Sequence, residues 1–140
     1  MSVDIKPHAT KKGYTNIIHA TLGGDNGKYG EETPLINFAK ESTGLHICSA
    51  INGDSNTCFN TEELPIYKFT TVVVQQTQKG ETEHYLFQIL INGKIAHQRL
   101  NTQPESFGDV WYFASDQYRD PAEATIKNLK LTNFEHKGII

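Results

Sequence analysis

Short runs rich in β-branched and aromatic residues recur along this chain, and clusters of Gly, Asn, Asp and Pro separate them. This pattern is typical of an all-β sandwich or barrel, in which strands alternate with tight turns. No longer segment spaces its apolar residues at helical intervals between a cap and a glycine, so long helices are not expected. The predicted strands cover residues 16–22, 34–39, 45–51, 57–60, 68–77, 84–91, 94–100, 110–115 and 125–133.

The Asn92-Gly93 pair supplies the clearest hairpin signal. A two-residue type I′ turn needs positive φ at both central residues, which Asn and Gly tolerate. Residues 84–100 are therefore predicted to form a hairpin. Apolar side chains on both faces of its first strand, such as Phe87 and Leu90, favour a central place in a sheet.

Cys48 and Cys58 flank a second turn signal around Gly53. A hairpin centred there places the two side chains directly opposite each other on adjacent strands, at a separation that a disulfide accepts. Disulfides persist in oxidising compartments, so this pairing predicts a secreted, extracellular protein. The alternative is a pair of buried free thiols, because unpaired cysteine behaves as a small hydrophobic residue.

Local departures from regular strands are also expected. Strand 16–22 alternates Ile18 and Ala20 with His19, which predicts one face on the core and one partly exposed to water. The apolar residues of 125–133 break the two-residue period, which predicts a bulge near Asn128. Residues 121–124 are compatible with a short helical turn.

Length and charge restrict the class of protein. At 140 residues the chain fits a single domain, 1–140, that can bury a full hydrophobic core. Its 13 basic and 16 acidic residues are interspersed, without the basic stripe typical of nucleic-acid binding. The longest apolar runs fall far short of the ~20 residues of a membrane span. Neither a nucleic-acid partner nor a membrane span is expected.

Three segments carry a resemblance to a known fold family. Residues 64–74 place a Leu-Pro turn before a Val-rich strand, residues 87–94 end a strand in an Asn-Gly turn, and residues 125–131 resemble a closing strand. In this order they are similar to the concanavalin A-like jelly rolls, in particular laminin G-like domains and, more distantly, galectins. The resemblance implies an antiparallel two-sheet β-sandwich that binds carbohydrate or protein outside the cell without catalysis, often with calcium at one rim. The galectin sugar-binding signature is absent.

No catalytic motif accompanies this pattern. The histidines form no zinc-binding helix motif, and the chain has no nucleophile elbow and no phosphate-binding glycine loop. A triad built from His19 or His46 with Ser49 would also need a paired acid, which the sequence does not indicate. The chain is therefore predicted not to be an enzyme.

Two polar loops are the candidate ligand-binding sites, because sugar recognition needs an aromatic face beside planar hydrogen-bonding groups. The first is the glycine-rich loop, residues 23–30, for which the alternative is a mobile connector whose glycines only serve turn geometry. The second comprises residues 116–120 between two predicted strands. The candidate residues are Asp25, Asn26 and Tyr29 in the first loop and Asp116, Tyr118 and Arg119 in the second.

The same loops bear on metal binding and on the single tryptophan. Asp25 and Asp116, together with Asp54 and Asp120, are oxygen ligands of the kind that calcium prefers, although no EF-hand-type loop is present. Trp111 is expected in the core or half-buried on a sheet, outside the predicted site.

The sequence therefore predicts a secreted lectin-like module that binds a glycan or glycoprotein through rim loops without catalysis. The alternative is an extracellular-matrix or adhesive module that binds protein through a sheet face. Homodimerisation is a further hypothesis, because a symmetric pair of weak sites gains avidity.

Overall fold

The structure is a computed structural model that describes residues 1–81 and 84–132. These residues form strands and no helix. The last residue of the predicted strand 125–133 lies outside the described residues. The strands are β1 (Ser2–Pro7), β2 (Thr15–Thr21), β3 (Leu35–Phe38), β4 (Gly44–Ile51), β5 (Asp54–Glu63), β6 (Thr70–Gln78), β7 (Tyr85–Ile91), β8 (Lys94–Asn101), β9 (Trp111–Phe113), β10 (Asp120–Pro121) and β11 (Ala124–Lys130).

Two sheets make up the molecule. The five-stranded sheet has the order β11-β1-β6-β7-β8, and the six-stranded sheet has the order β10-β2-β3-β4-β5, with β9 also paired to β2. The pairings are antiparallel except that of β10 with β2, which is parallel. The predicted all-β, antiparallel two-sheet sandwich is confirmed.

The hydrophobic core lies between the two sheets. Alternate residues of β6 and β7 point inward, so Val72, Val74 and Phe87 are buried. Phe59 on β5 stacks on Phe87 from the opposite sheet, with ring centroids 5.7 Å apart and ring planes at 18°. Burying side chains of this size contributes about 1.5–3 kcal/mol each. Truncation of fully buried Ile47 to Ala would therefore cost roughly 2–5 kcal/mol.

Both predicted hairpins are confirmed. Asn92 and Gly93 have φ values of 49° and 81°, as a type I′ turn requires, and they join β7 to β8. The turn between β4 and β5 has the same character, and Cys48 pairs with Cys58 across it in a disulfide. β7 lies between β6 and β8, in the predicted central position.

The predicted bulge is also confirmed. The register between β1 and β11 shifts between Ser2 and Asp4, and Asn128 has a φ of 54°. The Asn128 amide donates a hydrogen bond to Asp4 Oδ2 at 2.8 Å, which fixes the bulge against the neighbouring strand.

Two expectations about local structure are wrong, and one strand was missed. β1 was not predicted, although Val3 and Ile5 alternate with Asp4 in a strand period. Residues 121–124 contain the end of β10 and the start of β11 in place of a helical turn, because β2 and β1 offer pairing partners to this segment. Finally, all of β2 is buried, because the chain after β9 covers the face that was expected to be wet. Within the described residues, no helix could span a membrane.

Candidate binding cleft

Two short strands occupy the same edge of β2 and hold a loop between them. β9 pairs with residues 19–21 of β2, and β10 pairs with residues 15–16. Residues 114–119, here called the rim loop, connect the two and lie against β2. The backbone N–H of Asp116 donates to the side-chain oxygen of buried Asn16 at 3.0 Å, and Asn16 in turn donates to Asn37 at 3.0 Å. The rim loop is thus anchored to the sheet.

Asp116 organises the rim loop from within. Its Oδ1 accepts the backbone N–H groups of Tyr118 and Arg119 at 3.0 and 2.9 Å, which closes the turn. Its Oδ2 accepts hydrogen bonds from the side chains of His19 and Arg119 at 2.9 and 2.6 Å. With these contacts the carboxylate is fully committed to the protein, and Asp116 is 8% exposed. It therefore serves as a structural centre.

His19 is held from both sides beneath the rim loop. Its Nδ1 faces Asp116, and its Nε2 lies 2.7 Å from the carbonyl oxygen of Glu31. The side chain is fully buried, and the ring of Tyr118 packs edge-on against it with centroids 6.4 Å apart. Both ring nitrogen atoms thus have protein partners, so the ring positions Asp116 and Tyr118.

Arg119 joins the rim loop to the glycine-rich loop. Its two terminal nitrogen atoms reach Asp116 Oδ2 at 2.6 Å and Asp25 Oδ1 at 2.7 Å. Burial opposes the charge of the guanidinium, but the hydrogen bond to Asp25 and the negative charges of Asp116 and Asp25 outweigh it and raise the pKa of Arg119. The bridge fixes the distance between the two loops.

The glycine-rich loop is held in one arrangement by its own contacts. Thr21 Oγ1 accepts the N–H of Gly23 at 2.9 Å, and Glu31 Oε1 accepts those of Gly27 and Lys28 at 2.7 and 2.9 Å. Gly24 has a φ of +77°, and a Cβ atom there would clash with the Glu31 carboxylate. The glycines thus permit a close wrap around Glu31.

Between these two loops lies a cleft of about 340 Å³. The rings of Phe113 and Tyr118 line it and are 44% and 45% exposed. Ser115 contributes a hydroxyl and Gln117 an amide to the lining, and Gly23 contributes backbone atoms only. The volume is at the lower end of the range of small-molecule sites, and aromatic rings beside a few polar groups are typical of such sites.

The six predicted site residues separate into two groups. Asp25, Asp116, Tyr118 and Arg119 come together around the cleft. Tyr29 instead donates its hydroxyl hydrogen to the carbonyl of Gln103 at 2.7 Å and faces a shallow hollow beside Pro104. Asn26 is exposed, and its carbonyl accepts a hydrogen bond from Ser55. These two residues secure the far side of the glycine-rich loop.

Phe113 and Ser115 line the cleft but were not predicted from the sequence, and neither was the exposure of Trp111 beside it. Its side chain is 64% exposed, which corrects the expectation of a core or half-buried position. β9 is only three residues long, and within the described residues it pairs with β2 alone, so its other edge is open. Trp111 shares a face with Phe113, about 6.8 Å further along the strand. It therefore extends the aromatic wall beyond the cleft.

Glu32 is a buried acid beneath the glycine-rich loop. It is 1% exposed, and its Oε2 has no hydrogen-bond partner among the described residues. Burial, reinforced by the charge of Asp25 and opposed by Arg119, raises the pKa of Glu32 to about 8. The side chain is therefore neutral at pH 7, the form that burial favours.

Two groups of side chains have the composition of metal sites. One contains His46 with Cys48 and Cys58, whose sulfur atoms are bonded to each other and are not thiolates. The other contains His19, Asp25 and Asp116, but the Arg119 guanidinium already binds both carboxylates. A cation at the second group would have to displace Arg119. Of the remaining candidate calcium ligands, Asp54 accepts the N–H of Asn56 and Asp120 is exposed on β10.

The fold and the cleft define a class: an all-β, two-sheet sandwich with a preformed cleft at a loop rim. Comparison with known proteins does not narrow this class, because no family model, no curated protein and no solved structure matches the chain.

Proposed function

We propose that this protein is a lectin-like module that binds a glycan, free or on a glycoprotein, in the cleft between the glycine-rich loop and the rim loop. The observation that carries the proposal is the combination of two half-exposed rings, Phe113 and Tyr118, with Gln117 and Ser115 in one preformed cleft. Aromatic rings stack on the apolar face of a pyranose, while amide and hydroxyl groups bind its hydroxyls. Preorganised walls reduce the entropy that binding costs.

The charge of the cleft favours neutral sugars. Arg119, which joins the two loops beside the cleft, is bound to Asp116 and Asp25 and is not available to a ligand. The carboxylate of Glu31 adds negative charge nearby. A sialylated or sulfated sugar would lose solvation at the cleft without gaining an ion pair.

Binding without catalysis is part of the same proposal. A histidine that acts as a general base needs a ring nitrogen within reach of the nucleophile. Both nitrogen atoms of His19 face protein oxygen atoms instead, and the ring is buried. The contacts of His19 therefore support a structural role.

The proposal includes fold family and location. We assign the sandwich to the concanavalin A-like jelly rolls on the three sequence segments that resemble laminin G-like domains. Action outside the cell is supported by the Cys48–Cys58 disulfide, since such bonds persist in oxidising compartments.

A second candidate function is adhesion to a protein. It is favoured by the exposed aromatic side chains of β9, where Trp111 and Tyr112 are 64% and 41% exposed. Exposed aromatic residues are enriched at protein interfaces. We rank it second because the cleft beside β9 has the size and polar groups of a small-ligand site.

A glycan array tests the proposal. The disulfide-intact protein is screened against neutral, sialylated and sulfated glycans, in calcium and again in chelator. We expect selective binding to neutral glycans that survives the chelator, because Arg119 takes the place of a cation at the two carboxylates. Absence of binding by folded protein would contradict the lectin proposal and favour the adhesive one.

A further inference from the structure

The outer face of the five-stranded sheet carries an uncharged patch. Three residues on each of β6, β7 and β8 point away from the core and are paired across the strands in three rows. None of the nine is charged, in a chain with 21% charged residues. The rows, here called the ladder patch, are Val73-Leu90-Ile95, Gln75-Gln88-Gln98 and Thr77-Leu86-Leu100.

The middle row is a hydrogen-bonded ladder of amides. Gln75 Nε2 donates to Gln88 Oε1 at 2.9 Å, and Gln88 Nε2 donates to Gln98 Oε1 at 3.1 Å. All donors point the same way across the strands, so the ladder ends in a spare acceptor on Gln75 and a spare donor on Gln98 among the described residues. Aliphatic side chains flank it on both sides, and Ile95 and Leu100 are 55% and 39% exposed.

We propose that the ladder patch binds a second copy of this chain, face to face. The two-fold axis of this dimer lies between the two faces and is parallel to β7. Such a rotation places Gln88 opposite itself and lays Gln75 of one copy against Gln98 of the other. The spare acceptor of one ladder thus meets the spare donor of the other, twice. Each outer row meets its own counterpart, with Leu90 opposite Leu90 and Leu86 opposite Leu86.

The patch favours this occupant because it is self-complementary. A glycan offers no aliphatic rows to match, and a partner rich in charge would leave its ions unpaired against an uncharged face. The edge of β8 is a poorer contact than its face, because the register shift between Ile89 and Leu90 gives β8 a bulge, and bulges discourage edge-to-edge pairing.

The size of the patch sets the strength of the association. Three strands ~4.8 Å apart and three rows ~6.8 Å apart cover roughly 300 Å² on each copy. A standard interface buries about 800 Å² per partner, so the dimer should be weak and should form in a concentration-dependent way. Two clefts on one dimer would give avidity for a multivalent ligand, but the dimer does not depend on what the cleft binds.

A charge swap at Gln88 tests the proposal, because this residue faces its own copy. Sedimentation equilibrium is run up to roughly 1 mM protein on the wild type, Gln88→Lys, Gln88→Glu and their equimolar mixture. We expect the mean mass of the wild type to rise towards twice the monomer mass, each charged variant to stay monomeric, and the mixture to recover association. Ser106→Lys, an exposed position in the loop before β9, is the control and should associate like the wild type.

Three results would overturn the proposal. A wild type that stays monomeric over the whole range shows that the patch does not bind itself. A Gln88→Lys variant that associates as well as the wild type places the contact elsewhere. Shifts of the Gln88 side-chain amide in NMR spectra on addition of a neutral glycan, with the protein monomeric, would assign the patch to a glycan instead.

Discussion

Arg119 and Asp25 lie 94 residues apart in the chain, and their side chains are joined at 2.7 Å. The same guanidinium reaches Asp116 at 2.6 Å, so one cation ties the glycine-rich loop to the rim loop. Since each loop forms one wall of the cleft, this bridge sets the width of the cleft. The bridge therefore links the stability of the protein to its proposed function.

Replacing Arg119 tests the bridge. Arg119→Met leaves the buried carboxylate of Asp116 without its cation. We expect a loss of about 2–3 kcal/mol in the free energy of unfolding, because removing one partner of a largely buried ion pair leaves an uncompensated charge inside the protein. Glycan binding should weaken with it. The control is Lys11→Met, which removes a surface pair with Glu123 and an exposed hydrogen bond to the carbonyl of Pro121, and should cost less than about 1 kcal/mol. Urea unfolding measures the free energy of unfolding of both variants. Equal losses would show that the Arg119 bridge contributes no more than a surface ion pair.

Buried Glu32, beneath the glycine-rich loop, predicts a pH dependence of the free energy of unfolding. Burial raises the pKa of Glu32 from 4.5 to about 8. Between these values the folded protein holds a proton that the unfolded chain has released, so stability should fall as the pH rises from about 4.5 to 8, by at most about 1.4 kcal/mol per pH unit. Above the folded pKa this contribution levels off.

Glu32→Gln should remove that slope. Glutamine has the shape of the protonated acid but does not titrate, so the variant should match the wild type near pH 5 and exceed its stability near pH 9. Glu123→Gln, at an exposed position, should leave the slope unchanged. Unfolding curves measured at each pH provide the comparison, and a slope that persists in Glu32→Gln would assign it to other groups.

The Cys48–Cys58 disulfide predicts a defined loss of stability on reduction. Cys48 and Cys58 are separated by 10 residues, and a cross-link closing a loop of this length is worth roughly 2–3 kcal/mol in the chain-entropy description. We expect Cys48→Ser combined with Cys58→Ser to lower the free energy of unfolding by that amount. Dithiothreitol should lower it equally in the wild type and not at all in the double variant. If dithiothreitol lowered the free energy of unfolding of the double variant, the reductant would be acting on something other than this disulfide.

Trp111 predicts a dependence on ligand length. Its ring lies on the cleft face beyond Phe113, so it should touch a second sugar unit and not the first. Trp111→Ala should weaken binding of a neutral disaccharide or longer glycan by roughly tenfold and leave the monosaccharide unaffected. Its effect on stability should stay below about 1 kcal/mol, because the side chain is exposed. As the single tryptophan, Trp111 also reports the contact by its own fluorescence.

The sequence predicted features that depend on local geometry. The two Asn-Gly hairpins, the Cys48–Cys58 pair and the bulge at Asn128 were all predicted, because turn chemistry and a two-residue period act over short distances. β1 carried the same alternation but stood in a polar segment, and its partners β6 and β11 lie far away in sequence.

The candidate site was predicted only in part, because its contacts also join residues that lie far apart in the sequence. Both loops were identified by their composition, yet nothing local indicates that Arg119 would bind Asp25, or that His19 would lie under the rim loop. These contacts follow from β9 and β10 sharing one edge of β2, a choice set by tertiary packing. The exposure of Trp111 has the same origin, since it depends on which strand flanks β9.

Binding of a neutral glycan by variants of the cleft tests directly whether the cleft is a glycan site. The measurement is isothermal titration calorimetry with the glycan that binds best on the array, for the wild type, Tyr118→Ala and Tyr67→Ala. Both tyrosines are exposed, by 45% and 69%, but only Tyr118 lines the cleft. We expect Tyr118→Ala to lose most of the affinity and Tyr67→Ala to retain it. Equal affinity in the two variants would contradict a glycan site in this cleft.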